Sequence, residues 1–310
     1  MTCERLIELD IAKGICILLM VVGHSGMPDG LHFFIYGFHM PFFFFVSGIT
    51  TNVSRPFKTF LSCKIKGLMI PFFIYYLIHI PSYALVYKRS IIEQFIVEFE
   101  EYQIDSALWF VPILFLANII NWMIPRKKFV EMVAVLILST SSSVLCIENI
   151  SLPYNLSVLG FGASFVLLGR LLSVKGVKDI FQFCRSYGIV FGGIVISMVV
   201  TLGISLRYRL AMSFDKIEPC LPIMVGALAG ILMILLFSGM FSLRSRVLSR
   251  FFAYTGLNTF VFIGFSQFIL KYENLYIRDL VILKYCILFI TLYLLVYLKN
   301  RIPFAKTLRL

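Results

Sequence analysis

The chain has 310 residues, 60% of them apolar and only 14% charged, with 32 phenylalanines and a mean hydropathy of +0.93. Such a composition excludes a water-soluble enzyme and leaves no polar stretch long enough for a separate soluble domain. A formal charge of +12 would suit a nucleic-acid partner in a soluble protein, but these cations stand singly or in threes between apolar runs, where they act as topology signals.

The expected fold class is all-α: one membrane-embedded domain over residues 1–310, built as a polytopic helix bundle in the lipid bilayer. A membrane-spanning helix needs about 20 apolar residues. On that template ten segments are predicted, at 7–25, 31–50, 67–87, 106–124, 129–147, 156–173, 187–206, 220–241, 253–271 and 279–298. The first has the length of a signal-peptide core, but Glu8, Asp10 and Lys13 interrupt it and no small-x-small cleavage site follows. It is read as a retained helix.

With the N-terminus inside, 20 of the 28 Lys and Arg residues fall on cytoplasmic segments: Arg5, Lys13, Arg55, Lys58, Lys64, Lys66, Arg126 to Lys128, Arg170, Lys175, Lys178, Arg185, Arg244, Arg246, Arg250, Lys299, Arg301, Lys306 and Arg309. Seven fall opposite (Lys88, Arg89, Arg207, Arg209, Lys216, Lys271, Arg278), and Lys284 lies within the last helix. Both termini are therefore expected in the cytoplasm. Between Lys88 and Asp105 an acidic outer segment carries Glu93, Glu98, Glu100 and Glu101. Ile91, Ile92, Phe95, Ile96 and Phe99 recur in it at helical spacing, which suits a short interfacial helix.

Glycines four apart, Gly188/Gly192 and Gly226/Gly230, mark expected close helix contacts. Pro153 and Gly160–Gly162 are compatible with a broken helix. No internal repeat of the kind transporters carry is visible. Seven cysteines, at 3, 16, 63, 146, 184, 220 and 286, include no C-x-x-C and no metal-ligand spacing, and the odd count argues against a disulfide framework. Cys146 and Cys220 are the pair that the topology would place together on the outer side.

The polar groups of the first helix are its costly feature, because a charge at the bilayer centre must face protein or water. Lys13 and His24 are eleven residues apart, three turns with about 20° left over and roughly 16 Å along the axis, so both leave one face. Asp10 lies one turn before Lys13 and neutralises it. Taken alone, Lys13 suits an interfacial anchor and Asp10 a first-turn charge. His24, closing in Gly-His-Ser-Gly, has the chemistry of a general base. His39 follows in Phe-His-Met-Pro, where Pro41 frees a backbone carbonyl and bends the helix, turning His39 toward His24. The run Phe42–Phe45 reads as lipid-facing or core surface.

Together these segments carry a resemblance. Leu9-Asp10, Lys13-x10-His24 and Phe38-His-Met-Pro-Phe-Phe-Phe-Phe-Val-Ser47-Gly48 strongly resemble membrane acyltransferase family 3, and within it the fucose 4-O-acetylase-like and polysaccharide O-acetyltransferase branch. Lys64-Ile-Lys66 through Pro71, Leu108-Trp109-Phe110, Phe165-x3-Gly169 and Gly256-Leu-Asn258-Thr259 are similar to later segments of the family, so that the resemblance covers about residues 5–270. The sequence departs from the family at Gly67, where a second Arg of an Arg-x-x-Arg pair is usual, and at Ser266-Gln267, where a His is frequent.

The resemblance implies an O-acyltransferase that moves an acetyl or short acyl group from cytoplasmic acyl-CoA to a carbohydrate hydroxyl, in the bacterial cytoplasmic membrane. It implies no permanently bound cofactor, with acetyl-CoA as donor substrate. His24 and His39 are the catalytic candidates, Lys13, Asp10, Lys64 and Lys66 the donor-binding ones, and the basic Arg244–Arg250 loop is expected to help hold the donor's nucleotide end. Candidates for steadying the oxyanion or the substrate are His39, Ser47, Asn258 and Trp109. Direct transfer with His24 as base and an acyl-histidine relay both fit, and the alternative class is a transporter or glycolipid flippase using the same polar residues.

Overall fold

The computed structural model describes residues 6–100, 107–184, 186–212, 216–217, 219–276 and 280–302. Cys3, Arg5, Glu101, Asp105, Arg185, Arg278, Lys306 and Arg309 lie outside the described residues, as does the side chain of Lys216.

Among the described residues the helices are α1 Ile7–Gly23, α2 Asp29–Tyr36, α3 His39–Thr50, α4 Phe57–Lys64, α5 Ile70–Tyr87, α6 Ile91–Glu100 and α7 Phe110–Met123. They continue with α8 Lys128–Ile147, α9 Leu159–Phe183, α10 Tyr187–Arg207, α11 Cys220–Arg244, α12 Arg246–Leu257, α13 Thr259–Tyr276 and α14 Val281–Arg301. One short antiparallel pairing, β1 Leu210–Ala211 with β2 Lys216–Ile217, sets Leu210 opposite Ile217. The chain is an all-α polytopic bundle. Among the described residues, length and composition give seven helical stretches able to cross a membrane, or eight if α12 and α13 form one broken span, rather than ten. The difference lies in α1, which has 17 residues and three charges, and in the short stretch Ala107–Met123.

Two compact units divide the chain. The first comprises the residues up to Ser54 together with Leu116–Leu257, and the second Arg55–Phe115 together with the residues from Asn258 on.

In the first unit, two helix crossings bring backbone onto backbone. A Cβ at Gly14 of α1 would strike the carbonyl oxygen of Phe252 in α12, and one at Gly256 would strike that of Asp10. The crossing of α3 and α9 repeats the device, with Gly48 against the carbonyl of Val166 and Gly169 against that of Phe45. In lipid, where apolar surface gains little from leaving one apolar neighbour for another, such close approach is what holds helices together. The expected contacts at Gly188 and Gly192 are not made, since both face open space, while Gly226 and Gly230 meet the side chains of Ile204 and Phe38. Small-residue spacing marks a smooth stripe on a helix and is silent about whether a partner lies on it.

Arg170, expected among the cytoplasmic cations near the end of the 156–173 segment, makes an ion pair within the bundle. It lies within α9, half-buried, paired with Glu131 of α8 at 3.1 Å, and its Nη1 donates to the carbonyls of Asn121 (2.5 Å) and Ile124 (3.2 Å). Those are orphan acceptors at the end of α7, so the cation serves as a helix cap. The helical backbone breaks at Tyr154 and Asn155, both with positive φ, and again at Ser173, whereas Gly160 and Gly162 sit inside α9 against α8 and Phe44. Cys146 and Cys220 do not form a disulfide with each other. Phe42, Phe44 and Phe45 are core residues.

In the second unit, Pro71 cannot donate to the carbonyl of Gly67, and the chain widens there into a π-turn over Ile65–Met69. Tyr75 of α5 stacks on Phe260 of α13, and Tyr83 approaches Phe268. Helix α6 is inverted relative to a solvated loop helix. Ile92 is 72% exposed and Phe99 59%, whereas Gln94 and Glu98 are 1% and 3% exposed. Apolar surroundings such as lipid favour that arrangement. Its start is a capping box, in which the Ser90 N–H donates to the Glu93 carboxylate (2.7 Å) and the Glu93 N–H donates to the Ser90 hydroxyl (3.1 Å). The Ser90 backbone and hydroxyl bonds hold the Glu93 carboxyl below its ordinary range.

Candidate functional site

Helix α1 ends at Gly23 rather than continuing to residue 25, and His24 is its C-cap, its N–H donating to the Met20 carbonyl at 3.1 Å. With φ near −86° and ψ near −1°, His24 still follows the helical path, so the shared face with Lys13 survives one residue past the last turn. The following segment breaks between α2 and α3. Phe38 leaves the helical region at φ −140°, next to Gly37, to whose carbonyl Pro41 has no N–H to donate. Pro41 itself stands in the first turn of α3, where a missing N–H costs little. The break returns His39 to the end of α1.

Four polar rings meet there. The imidazoles of His24 and His39 lie 6.2 Å apart, edge to face, and the Tyr36 ring is 5.2 Å from the first and 4.9 Å from the second. The Tyr36 hydroxyl is 2.6 Å from His24 Nδ1, and His32 stacks on Tyr36 at 4.0 Å. Two backbone carbonyls fix the other rings: His32 Nδ1 donates to Gly23 and His39 Nδ1 to Ile35, each at 2.9 Å. His39 and Tyr36 are buried, while His24 and His32 are partly exposed, so the group runs from an open edge into the core.

Tyr36 and His32 were not among the sequence-derived candidates. Their signal was nevertheless present, because His32, Tyr36 and His39 follow at i, i+4 and i+7, one face of a helix. The apolar residues around them hid it.

Other candidates sit elsewhere. Asp10 and Lys13 pair at 2.6 Å, one turn apart on α1, with the Lys13 side chain 27% exposed. Ser47 lies eight residues beyond His39, about 12 Å along α3. It exchanges hydrogen bonds with Asn118 at 2.9 and 3.1 Å, and Thr51 joins the same amide at 3.0 Å. Lys64, Lys66, Trp109 and Asn258 belong to the second unit. Lys64 is half-buried with its ammonium 5.9 Å from the Phe60 ring, Lys66 is exposed, Trp109 is buried against Phe110, and Asn258 accepts from Lys299. Among the described residues, no three His, Cys, Asp or Glu side chains converge as a metal site requires.

A membrane bundle with paired imidazoles at a helix end suits group transfer, and comparison with protein families decides the class. The family model described as an acyltransferase domain, acyltransferase family 3, matches residues 6–301. The chain belongs to this family. No curated protein and no solved structure matches it significantly. The match runs through both units of this acyltransferase and includes every sequence-derived candidate from Asp10 to Asn258. Among the quoted motif residues, the glycines Gly48, Gly169 and Gly256 stand at the two backbone crossings, so part of the family resemblance is packing rather than chemistry.

Proposed function

We propose that this integral membrane acyltransferase moves an acetyl or other short acyl group from cytoplasmic acyl-CoA to a hydroxyl of a cell-surface carbohydrate or its lipid-linked precursor. The observation that carries the reading is the imidazole pair, His24 and His39, 6.2 Å apart at the end of a helix that also bears the Asp10–Lys13 ion pair. Acyl transfer to a hydroxyl needs one group to take the proton and another to steady the oxyanion. Two imidazoles with different hydrogen-bond partners can divide those tasks.

Coenzyme A is polyanionic, and a basic membrane face attracts it. In this reading Lys13, Lys64, Lys66 and the basic segment Arg244–Arg250 lie on the cytoplasmic side with both termini, in the bacterial cytoplasmic membrane. The thioester then reaches along α1 toward His24, a rise of roughly 16 Å for eleven residues. Lys13 meets the donor as a charge already balanced by Asp10, which keeps it from being an isolated cation in lipid.

The test is reconstitution of the purified protein in liposomes with labelled acetyl-CoA and an extract of lipid-linked glycans. Label should enter the glycan fraction as an alkali-labile ester. His24→Ala should lower incorporation by about 10²–10³ while the protein remains inserted and folded. Full incorporation by that variant would remove His24 from the chemistry, and no incorporation by the wild type with any glycan would overturn the acceptor class.

A further inference from the structure

We infer that His39 is the base of the transfer and that His24, set by Tyr36, is the oxyanion donor, the reverse of what the spacing along α1 suggests. This rests on the acyl-transfer reading above and assigns the two rings their separate tasks.

A carbonyl oxygen only accepts, so the bond from His39 Nδ1 to the Ile35 carbonyl at 2.9 Å fixes the proton of the neutral ring on Nδ1. Nε2 then carries the lone pair. A neutral His39 has no second N–H to offer an oxyanion, but it can take a proton. His32 is fixed the same way by the Gly23 carbonyl.

The situation of His24 is different. Among the described residues, the groups within hydrogen-bond reach of the Tyr36 hydroxyl are the two nitrogens of His24, Nδ1 at 2.6 Å and Nε2 at 3.4 Å. Tyr36 is buried, and a buried hydroxyl proton left without an acceptor is costly. Donation to Nδ1 satisfies it and leaves the ring proton of neutral His24 on Nε2. His24 thereby presents an N–H, the group an oxyanion requires. Stacked at 4.0 Å on His32, which is tied to the end of α1, Tyr36 cannot swing away without breaking both contacts. Tyr36 and His32 are positioning residues, because they act through His24.

The step then balances. His39 Nε2 takes the acceptor's hydroxyl proton as its oxygen forms a bond to the thioester carbonyl carbon. The carbonyl oxygen, now anionic, receives the N–H of His24. On collapse the carbon–sulfur bond breaks, the thiolate leaves with the proton held on His39, and the products are the ester and free thiol.

Two measurements test this. In protein labelled with 15N-histidine, solid-state NMR at a pH where the rings are neutral should show His39 protonated at Nδ1 and His24 at Nε2. Four histidines make assignment by single substitution practical. Tyr36→Phe should release His24 into a mixture of tautomers. Detection of wild-type His24 protonated at Nδ1, or His39 at Nε2, overturns the assignment irrespective of activity. In the liposome assay, His24→Gln keeps an N–H donor without a base and should retain transfer within about tenfold of wild type, against a loss of about 10²–10³ for His24→Ala. His39→Gln should lose about 10²–10⁴. Inactivity of His24→Gln equal to that of the alanine variant, with His39→Gln active, overturns the proposal, whereas an inactive wild type with the stated tautomers is a failure of the acyl-transfer reading instead.

Discussion

In the first unit, His24, His32 and His39 are held by one phenol and two backbone carbonyls, whereas in the second unit His79 is clasped by charge. His79 Nε2 is 2.7 Å from the Glu98 carboxylate, which also accepts from Gln94 at 3.0 Å and Tyr76 at 3.2 Å. His79 is sealed between aromatic rings, with Tyr83 at 4.1 Å and Tyr76 stacked at 5.7 Å, and its side chain is fully buried. Both groups are imidazoles in a membrane bundle, but their surroundings ask different things of them. Neutral partners orient a ring and leave one nitrogen for chemistry. A buried carboxylate needs its partner, and that need binds α5 to the polar side of α6.

The largest effects should therefore separate by kind. His39→Ala is expected to lower acyl transfer by about 10²–10⁴ with the melting temperature little changed, measured by liposome assay and by thermal unfolding in detergent. His79→Ala should do the opposite. It leaves Glu98 buried without its main partner, at a cost of about 3–5 kcal/mol, while transfer per folded molecule stays near wild type. Glu98→Gln, which removes the charge but keeps the side chain's length and a carbonyl acceptor, should cost much less. If His79→Ala instead abolished transfer at an unchanged melting temperature, the contrast between the two sites would collapse and the second unit would hold part of the chemistry.

The next effect concerns the frame around the first site. Gly48→Leu would drive a side chain into the carbonyl of Val166 and should cost about 1–3 kcal/mol or prevent the α3–α9 crossing from closing. Gly188→Leu adds a side chain to open space and should stay within about 0.5 kcal/mol of wild type. Equal losses in both would mean that glycine content, not backbone approach, limits the bundle.

This contrast also indicates how far the sequence could be read. Apolar runs fix the position of helices, and all ten predicted segments contain helix, because satisfying the backbone in lipid leaves few choices. The pairing of Lys13 with Asp10 was legible because i, i+3 spacing settles it locally. The pairing of Arg170 with Glu131, 39 positions apart, was not, since nothing local tells a cation paired across helices from one at a membrane face. Gly188/Gly192 and Gly14/Gly256 show the same limit: the first has the motif and no neighbour, the second has the neighbour and no motif. Tyr36 was missed because a tyrosine in an aromatic run carries no sign that its hydroxyl points at a histidine. Its place on the His32–Tyr36–His39 face was the available clue.

The smallest expected effect tests where the first site ends along α3. Ser47 closes the same motif that begins at His39, and sequence alone groups the two. In the fold, Ser47 faces Asn118, which retains its bond from Thr51 when Ser47 is removed. Ser47→Ala should thus cost about 1–2 kcal/mol, because the Asn118 oxygen keeps its bond from Thr51 while the amide N–H loses the Ser47 hydroxyl as acceptor. Transfer should persist, because about 12 Å of helix separates Ser47 from His39, too far for one side chain to reach a carbon held at the other. A collapse of transfer at an unchanged melting temperature would mean that the acyl chain, rather than the protein backbone, spans that distance, and that Ser47 meets the donor before His39 meets the acceptor.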